Sequence, residues 1–401
     1  MAKKKIVLFS DSPYATTGLA RQVRYFLKMF PEYEWHMWAI NHGEFVIQKN
    51  QKIAIMPDSE NFPKPASMVT PNMVNGDMYQ ASQFPQFIDQ VKPDYVMTFI
   101  DFDRVFPAAE AIKKMSIRDG FKWIHYMNVD RYNYGVRELT YFHLPDYLVT
   151  TAKFGAERLE QQGLNREITS IYHALDADEF PLLKRTEIRQ FRKEAFGKKS
   201  NKEFIVGSVN RVFARKDPVR LINAFNEFNK KDNESKLYMH GNRQTYEGVD
   251  LAMVGDVMRW DMETIMFPPN FNETTGVSQE QLNKIYQSFD VVASTSTGEG
   301  FGFSTLEALL TERPMIAPDN TTFPEFLTDY GYIVPTSDWV FVYGQYSTPW
   351  KIVDEVKFAE TLQHIKDNYD EAKEKAKAGR KFVLETFNLD VIKNQWSEIL
   401  R

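Results

Sequence analysis

Short apolar runs alternate with amphipathic helical stretches along most of this 401-residue chain. "KKIVLFS" reads as a buried strand ending at Ser10. It is followed by "GLARQVRYFLKMF", in which Leu19, Val23, Phe26, Leu27 and Phe30 share one helical face. "YEWHMWAI", "DYVMTFI", "KWIHYM" and "DYLVTT" repeat the strand pattern, with "PAAEAIKKM" and "KFGAERLEQQG" as helices. The rhythm breaks at "HALDADEFPLL", and a charged helix, "KRTEIRQFRKEAFG", follows. Alternation restarts at "EFIVGSVNR" and runs through "KLYMHGN", "ETIMFP", "DVVAST" and "PMIAP". Strands that alternate with helices imply βαβ units and a parallel sheet. The expected architecture is α/β: two Rossmann-like parallel-sheet domains that meet near residues 172 to 185 and face each other across a cleft. In such sheets ligands gather beyond the carboxyl ends of the strands. Residues 43 to 85, rich in Pro, Asn and Met, read as loops.

Bulk properties narrow the field of functions. The chain is 43% hydrophobic with 31 Phe and 19 Tyr, enough apolar material for two cores. The net charge of −5 does not suggest a general polyanion binder. Lys49, Lys52, Lys64, Lys113, Lys114 and Arg118 could line a groove for a nucleic acid, but only as an acceptor, and ordinary solvation is the better account of them. With no cysteine, disulfides, thiolate metal sites and cysteine nucleophiles are excluded. No apolar run approaches the ~18 residues of a membrane span, and the run in "MAKKKIVLFS" is too short for a signal-peptide core. The expectation is a cytoplasmic protein without integral membrane contact.

The segment "STSTGEGFGFSTLEALLTERPMIAP" carries the chemistry. It lies beyond the strand "DVVAST" and holds Glu299 and Glu307 eight positions apart. Ser304 and Glu307 have the spacing of a capping box, so a structural role for Glu307 stands beside a functional one. Glu299 precedes Gly300 and Gly302, where backbone can approach a ligand closely. The helix beginning near Ser304 turns free N–H groups and a positive dipole end toward the same space. An anion site flanked by two carboxylates suits a phosphate beside a polyol, the chemistry of a nucleotide sugar. "VGSVNRVFARKDP" places Arg211 and Lys216 just after a strand, where two cations can neutralise a diphosphate leaving group. "SPYATTGLARQ" sets Thr16, Thr17 and Gly18 at a helix N-terminus on the opposite wall.

These motifs resemble the family 4 retaining glycosyltransferases, whose two-domain fold is called GT-B. "GEGFGFSTLEALLTERPMIAP" is similar to the family's Glu–seven residues–Glu signature. "NRVFARKDP" resembles its Gly-Arg-Leu…Lys-Gly segment, with Asn210 in place of Gly. "ITSIYHALDADEF" resembles its interdomain segment, with Ala174 in place of Gly, and "FPEFL" a Glu-containing turn after the signature. The resemblance is dense from about residue 145 to 335. It implies domains at 1–175 and 176–380, with 381–401 crossing back to the first. It implies that Glu299 contacts the donor sugar and Glu307 the ribose hydroxyls. Arg211 and Lys216 would grip the diphosphate with the loop Gly300, Phe301, Gly302, Phe303 and Ser304, and Gly18 would let the first domain approach it. Phe267 would lie near the base, and Asp130 and His125 near the reacting centre; His125 also reads as a buried structural histidine.

The implied reaction moves a sugar from a nucleotide diphosphate sugar to an acceptor hydroxyl with retention. Polysaccharide, lipid-linked sugar, protein and modified nucleic-acid base all remain open as acceptor. A sugar phosphorylase, a sugar-nucleotide epimerase and a non-catalytic nucleotide-sugar-binding protein are the alternatives on the same fold. No cofactor is expected beyond the donor itself. Asp101 and Asp103 form an Asp-x-Asp pattern that could hold Mg²⁺ or Mn²⁺, but the resemblance implies a metal-independent fold, and Asp101 then lines the acceptor cleft or is solvated.

Overall fold

The computed structural model describes residues 2–40, 61–71, 78–230, 234–244, 250–269, 271, 276–342 and 348–401. Lys49, Lys52 and part of the 43–85 stretch therefore lie outside the described residues, as does the Asp103 side chain.

The first sheet contains β1 (Lys5–Asp11), β2 (Glu34–Ile40), β3 (Ser67–Val69), β4 (Tyr95–Phe99), β5 (Lys122–Met127), β6 (Tyr147–Thr150) and β7 (Thr169–Ser170). They run parallel in the order β3-β2-β1-β4-β5-β6-β7. The second sheet contains β8 (Phe204–Ser208), β9 (Ser235–Met239), β10 (Ile265–Met266), β11 (Val291–Ala293), β12 (Met315–Pro318) and β13 (Tyr332–Val334). Its order is β10-β9-β8-β11-β12-β13, again parallel. Both sheets are covered by helices on both faces, which explains why their strands read as continuous apolar runs; Ile6 through Phe9 are wholly buried. The strand order reverses between β1 and β4 in one sheet and between β8 and β11 in the other. A crevice for ligand opens at such switch points, and the loops after β1, β8 and β11 are those that carry Gly18, Lys216 and Glu299.

The expected parallel sheets are present. A short edge strand, β3, lies inside the stretch read as loops. Several elements had no counterpart in the sequence reading, among them the antiparallel hairpin of β14 (Thr336–Val342) and β15 (Thr348–Val353), the strand β13, and the helices Phe84–Val91, Val136–Tyr141, Leu251–Met258, Glu355–Asp367 and Tyr369–Thr386. The last helix, Leu389–Ile399, returns to the first sheet. Trp396 is fully buried there, edge-on to Phe26 at 5.1 Å and to Tyr126 at 4.9 Å. The chain end is pinned as well, with the Tyr33 hydroxyl donating to the Leu400 carbonyl at 2.6 Å. None of the helices among the described residues is long and apolar enough to cross a membrane.

Candidate active site

Gly302 opens the site because it adopts a left-handed conformation, φ 80° and ψ 61°, that glycine reaches without a Cβ penalty. It is the N-cap of the helix Phe303–Leu310, so that helix starts two residues earlier than Ser304 suggested. The capping box does not form. Ser304 lies inside the first turn, and the Glu307 side chain points elsewhere. Its Oε1 is ion-paired with Arg21 Nη2, and its Oε2 accepts from the Tyr286 hydroxyl at 2.6 Å. No side chain caps the first turn of this helix, and its Thr305 N–H donates to the Gly302 carbonyl at 3.0 Å.

Glu299 sits three residues before Gly302, in the same loop. Its Oε1 pairs with Lys216 Nζ and its Oε2 with Arg215 Nη1 at 3.3 Å. Burial alone would raise the Glu299 pKa; Lys216 and then Arg215 outweigh it and hold the carboxyl down at about 2. Burial pulls the Lys216 pKa below its usual value in turn. Arg215 also donates to the Gly298 carbonyl and reaches Asp130 of the first domain, Nε to Oδ2 at 3.5 Å. Asp130, Arg215, Glu299 and Lys216 thus form one charge cluster spanning both domains.

The "STST" run explains how these cations are aimed. Thr295 Oγ1 donates to the Asp217 carbonyl at 2.8 Å, and Thr297 donates to the Arg215 carbonyl through both its N–H, at 2.8 Å, and its hydroxyl, at 3.1 Å. The loop after β11 therefore holds the loop after β8 by its backbone. Thr321 supports the other side, accepting from the Glu299 N–H at 2.9 Å while its own N–H donates to the Tyr132 hydroxyl at 2.9 Å.

The opposite wall is close. Thr17 caps the helix Gly18–Met29, its hydroxyl accepting from the Ala20 N–H at 3.1 Å and donating to Asp11. A Cβ on Gly18 would lie 2.8 Å from the Phe303 ring, a distance side chains do not tolerate. Gly300 touches Asn128 in the same way, and its carbonyl accepts from Thr151 Oγ1 at 2.8 Å. Phe301 is buried between the domains, edge-on to His173 at 4.8 Å and to Phe387 at 5.8 Å.

Three expected residues stand apart from this cluster. Arg211 is exposed on the same loop as Lys216. Phe267 follows the edge strand β10 and packs against the second domain's core. His125 lies inside the first domain, 1% exposed, with Nδ1 2.9 Å from Thr98 Oγ1, and burial lowers its pKa to about 4. That position is the buried structural one. Sequence reasoning missed Arg21, Arg215, Tyr286 and Thr321. Arg21 is one helical turn beyond Gly18 and Arg215 adjoins Lys216, so their proximity to named motifs was the available signal.

With this geometry in hand, residues 189–340 match the family of group 1 glycosyl transferases. The chain is 30% identical over 135 residues to a poly(ribitol-phosphate) alpha-N-acetylglucosaminyltransferase of Staphylococcus aureus strain COL. That match covers 33% of this chain and 25% of the relative, so the chain aligns with only a quarter of the curated relative's length. Among solved structures, the Anabaena protein HepE in complex with UDP-glucose superposes with a TM-score of 0.73 at 15% identity, covering 99% of both chains. Sucrose-phosphate synthase from Thermosynechococcus elongatus superposes with a TM-score of 0.75 at 15% identity, covering 100% of this chain and 98% of the other.

Proposed function

We propose that the chain, whose residues 189–340 match the group 1 glycosyl transferases, is a glycosyltransferase of the GT-B fold that moves a sugar from a UDP-sugar to an acceptor hydroxyl with retention of configuration. The observation that carries this is the cluster of Glu299, Lys216 and Arg215 set beside the uncapped N-terminus of the helix Phe303–Leu310. The N–H groups of Phe303 and Ser304 bind the diphosphate, and Lys216 and the exposed Arg211 neutralise the charge it gains on leaving. Glu307 takes the ribose hydroxyls. Glu299, kept ionised by its two cations, contacts the donor sugar and stabilises positive charge near the anomeric carbon. Asp130 faces the same centre from the first domain.

Retention through a covalent intermediate needs a carboxylate on the opposite face of the sugar. The proposed route instead lets the departing phosphate oxygen take the acceptor proton from the same face. The glycosidic bond forms at the anomeric carbon as the bond to the diphosphate breaks, and the proton ends on UDP. This places the demand on the groups that hold the diphosphate. The choice of uridine follows the Anabaena neighbour, solved with UDP-glucose.

A thermal-shift comparison of UDP-glucose, UDP-N-acetylglucosamine, GDP-mannose and ADP-glucose tests the donor. A ligand at 100-fold over its Kd stabilises the folded state by about 2.7 kcal/mol. UDP-sugars are expected to raise the Tm and the others to leave it in place. Slow release of UDP from the active donor is the companion assay, and Glu299→Ala should lower it more than it weakens binding. A shift with GDP- or ADP-sugars alone would refute the uridine assignment.

A further inference from the structure

Arg21 stands in the donor site without belonging to the domain that holds the donor. It is carried by the helix Gly18–Met29 of the first domain, yet its guanidinium is ion-paired with Glu307 on the second. Both side chains are buried. The same guanidinium lies 4.4 Å from the centre of the Phe303 ring, which stacks on His173 at 5.2 Å and 3°. Burial works against the charge on Arg21, and Glu307, with Tyr25 and Glu179 behind it, more than offsets that, so its pKa rises.

A carboxylate offers about four lone-pair positions. Arg21 takes one from Glu307 and Tyr286 another, and those remaining can accept ribose hydroxyls. Without Arg21, a carboxylate buried this deeply would keep, among the described residues, only the Tyr286 hydroxyl and would turn toward water. Arginine suits the task because its rigid fork fixes direction as well as charge.

We propose that Arg21 is a positioning residue for the nucleoside: it holds Glu307 from across the cleft, so affinity for the nucleoside part of the donor depends on contact between the domains, whereas affinity for the diphosphate does not. This rests on the reading of Glu307 as the ribose ligand and of UDP as the nucleotide.

Calorimetric titration of the full chain with UDP, and separately with inorganic pyrophosphate, tests it. Losing one charged hydrogen-bond partner predicts about a tenfold rise in the UDP Kd for Arg21→Gln. Pyrophosphate, which has no ribose, should bind the variant as it binds wild type. Arg21→Lys keeps the charge and loses the fork, and should fall between the two. Arg21→Gln combined with Glu307→Gln should be no weaker for UDP than the weaker single variant. Unchanged UDP affinity, an equal loss for UDP and pyrophosphate, or additive losses in the double variant would each overturn the proposal. If Arg21→Gln does not fold, Arg21→Lys with both probes decides by the same criteria. Absence of UDP binding by the wild-type protein overturns the uridine reading beneath the proposal, and the proposal with it; UDP binding that is indifferent to Arg21 overturns the proposal alone.

Discussion

Glu299 is a buried carboxylate that stays charged because Lys216 and Arg215 face it. Its pKa of about 2 lies below the ordinary 4.5, so the native state holds its proton less tightly than the unfolded chain does. The stabilisation is complete above pH 4.5 and is lost as pH falls toward 2. Glu299→Gln removes the charge and leaves two cations facing each other in a buried site, which should cost on the order of 3 kcal/mol at neutral pH. The variant's melting temperature should then fall less steeply than that of wild type between pH 4.5 and 2; parallel curves would show that Glu299 is not held down. His125 works in a different window. Burial keeps it neutral with a pKa of about 4, against 6.5 in the unfolded chain. Its contribution is complete above pH 6.5 and disappears as pH falls through 4. His125→Asn should flatten the loss of stability across that window and leave turnover at neutral pH intact, because the ring bonds to Thr98 inside the first domain. A large loss of turnover with an unchanged stability profile would return His125 to the reacting centre.

At the scale of elements, the helix Lys153–Gln161 has no cap of its own, since Ala152 occupies the N-cap position. Glu325 of the second domain supplies one, accepting from the N–H groups of Lys153 at 3.1 Å and Phe154 at 3.0 Å while the Tyr172 hydroxyl donates to it at 2.6 Å. Glu325→Ala should cost about 1–2 kcal/mol, the upper range for a lost cap, measured by urea unfolding; a loss below a few tenths would mean that water replaces the carboxylate freely. This cap shows what a sequence can and cannot disclose. "FPEFL" was legible as a motif, but its partner helix lies about 170 positions away, and no local pattern announces an absent cap. The same limit applies to Glu307. Ser304 and Glu307 satisfy a capping-box spacing, and only the left-handed turn at Gly302 moves the helix start and frees Glu307 for Arg21. The parallel strands were legible because burial on both faces leaves continuous apolar runs. The β14–β15 hairpin is half exposed, with Trp339 and Val340 open to solvent, and carries no comparable run.

The whole molecule is held closed by contacts that leave no room for added atoms. A Cβ on Gly298 would lie 2.1 Å from the Asp130 carbonyl oxygen, and one on Gly300 would lie 2.5 Å from Asn128 Cβ. The first obstacle is backbone, so it cannot swing aside as a flexible side chain can. Each domain has its own buried core, with Val7, Phe9 and Trp123 in one and Val206, Phe225 and Leu237 in the other. Gly298→Ala should therefore leave both domains folded and relieve the clash by parting them. Parting separates Asp130 from Arg215 and shifts the reacting groups relative to each other, and a displacement of about 1 Å can cost 100-fold in turnover. The expected result is a larger radius of gyration by X-ray scattering, a single cooperative melt and a turnover loss of at least tenfold. Gly120→Ala is the matched control, because its added methyl meets nothing within 4 Å, and it should change neither quantity. If Gly298→Ala kept the wild-type radius and turnover, the two loops must yield locally, and closure would not depend on the fit between residues 128–130 and 298–300.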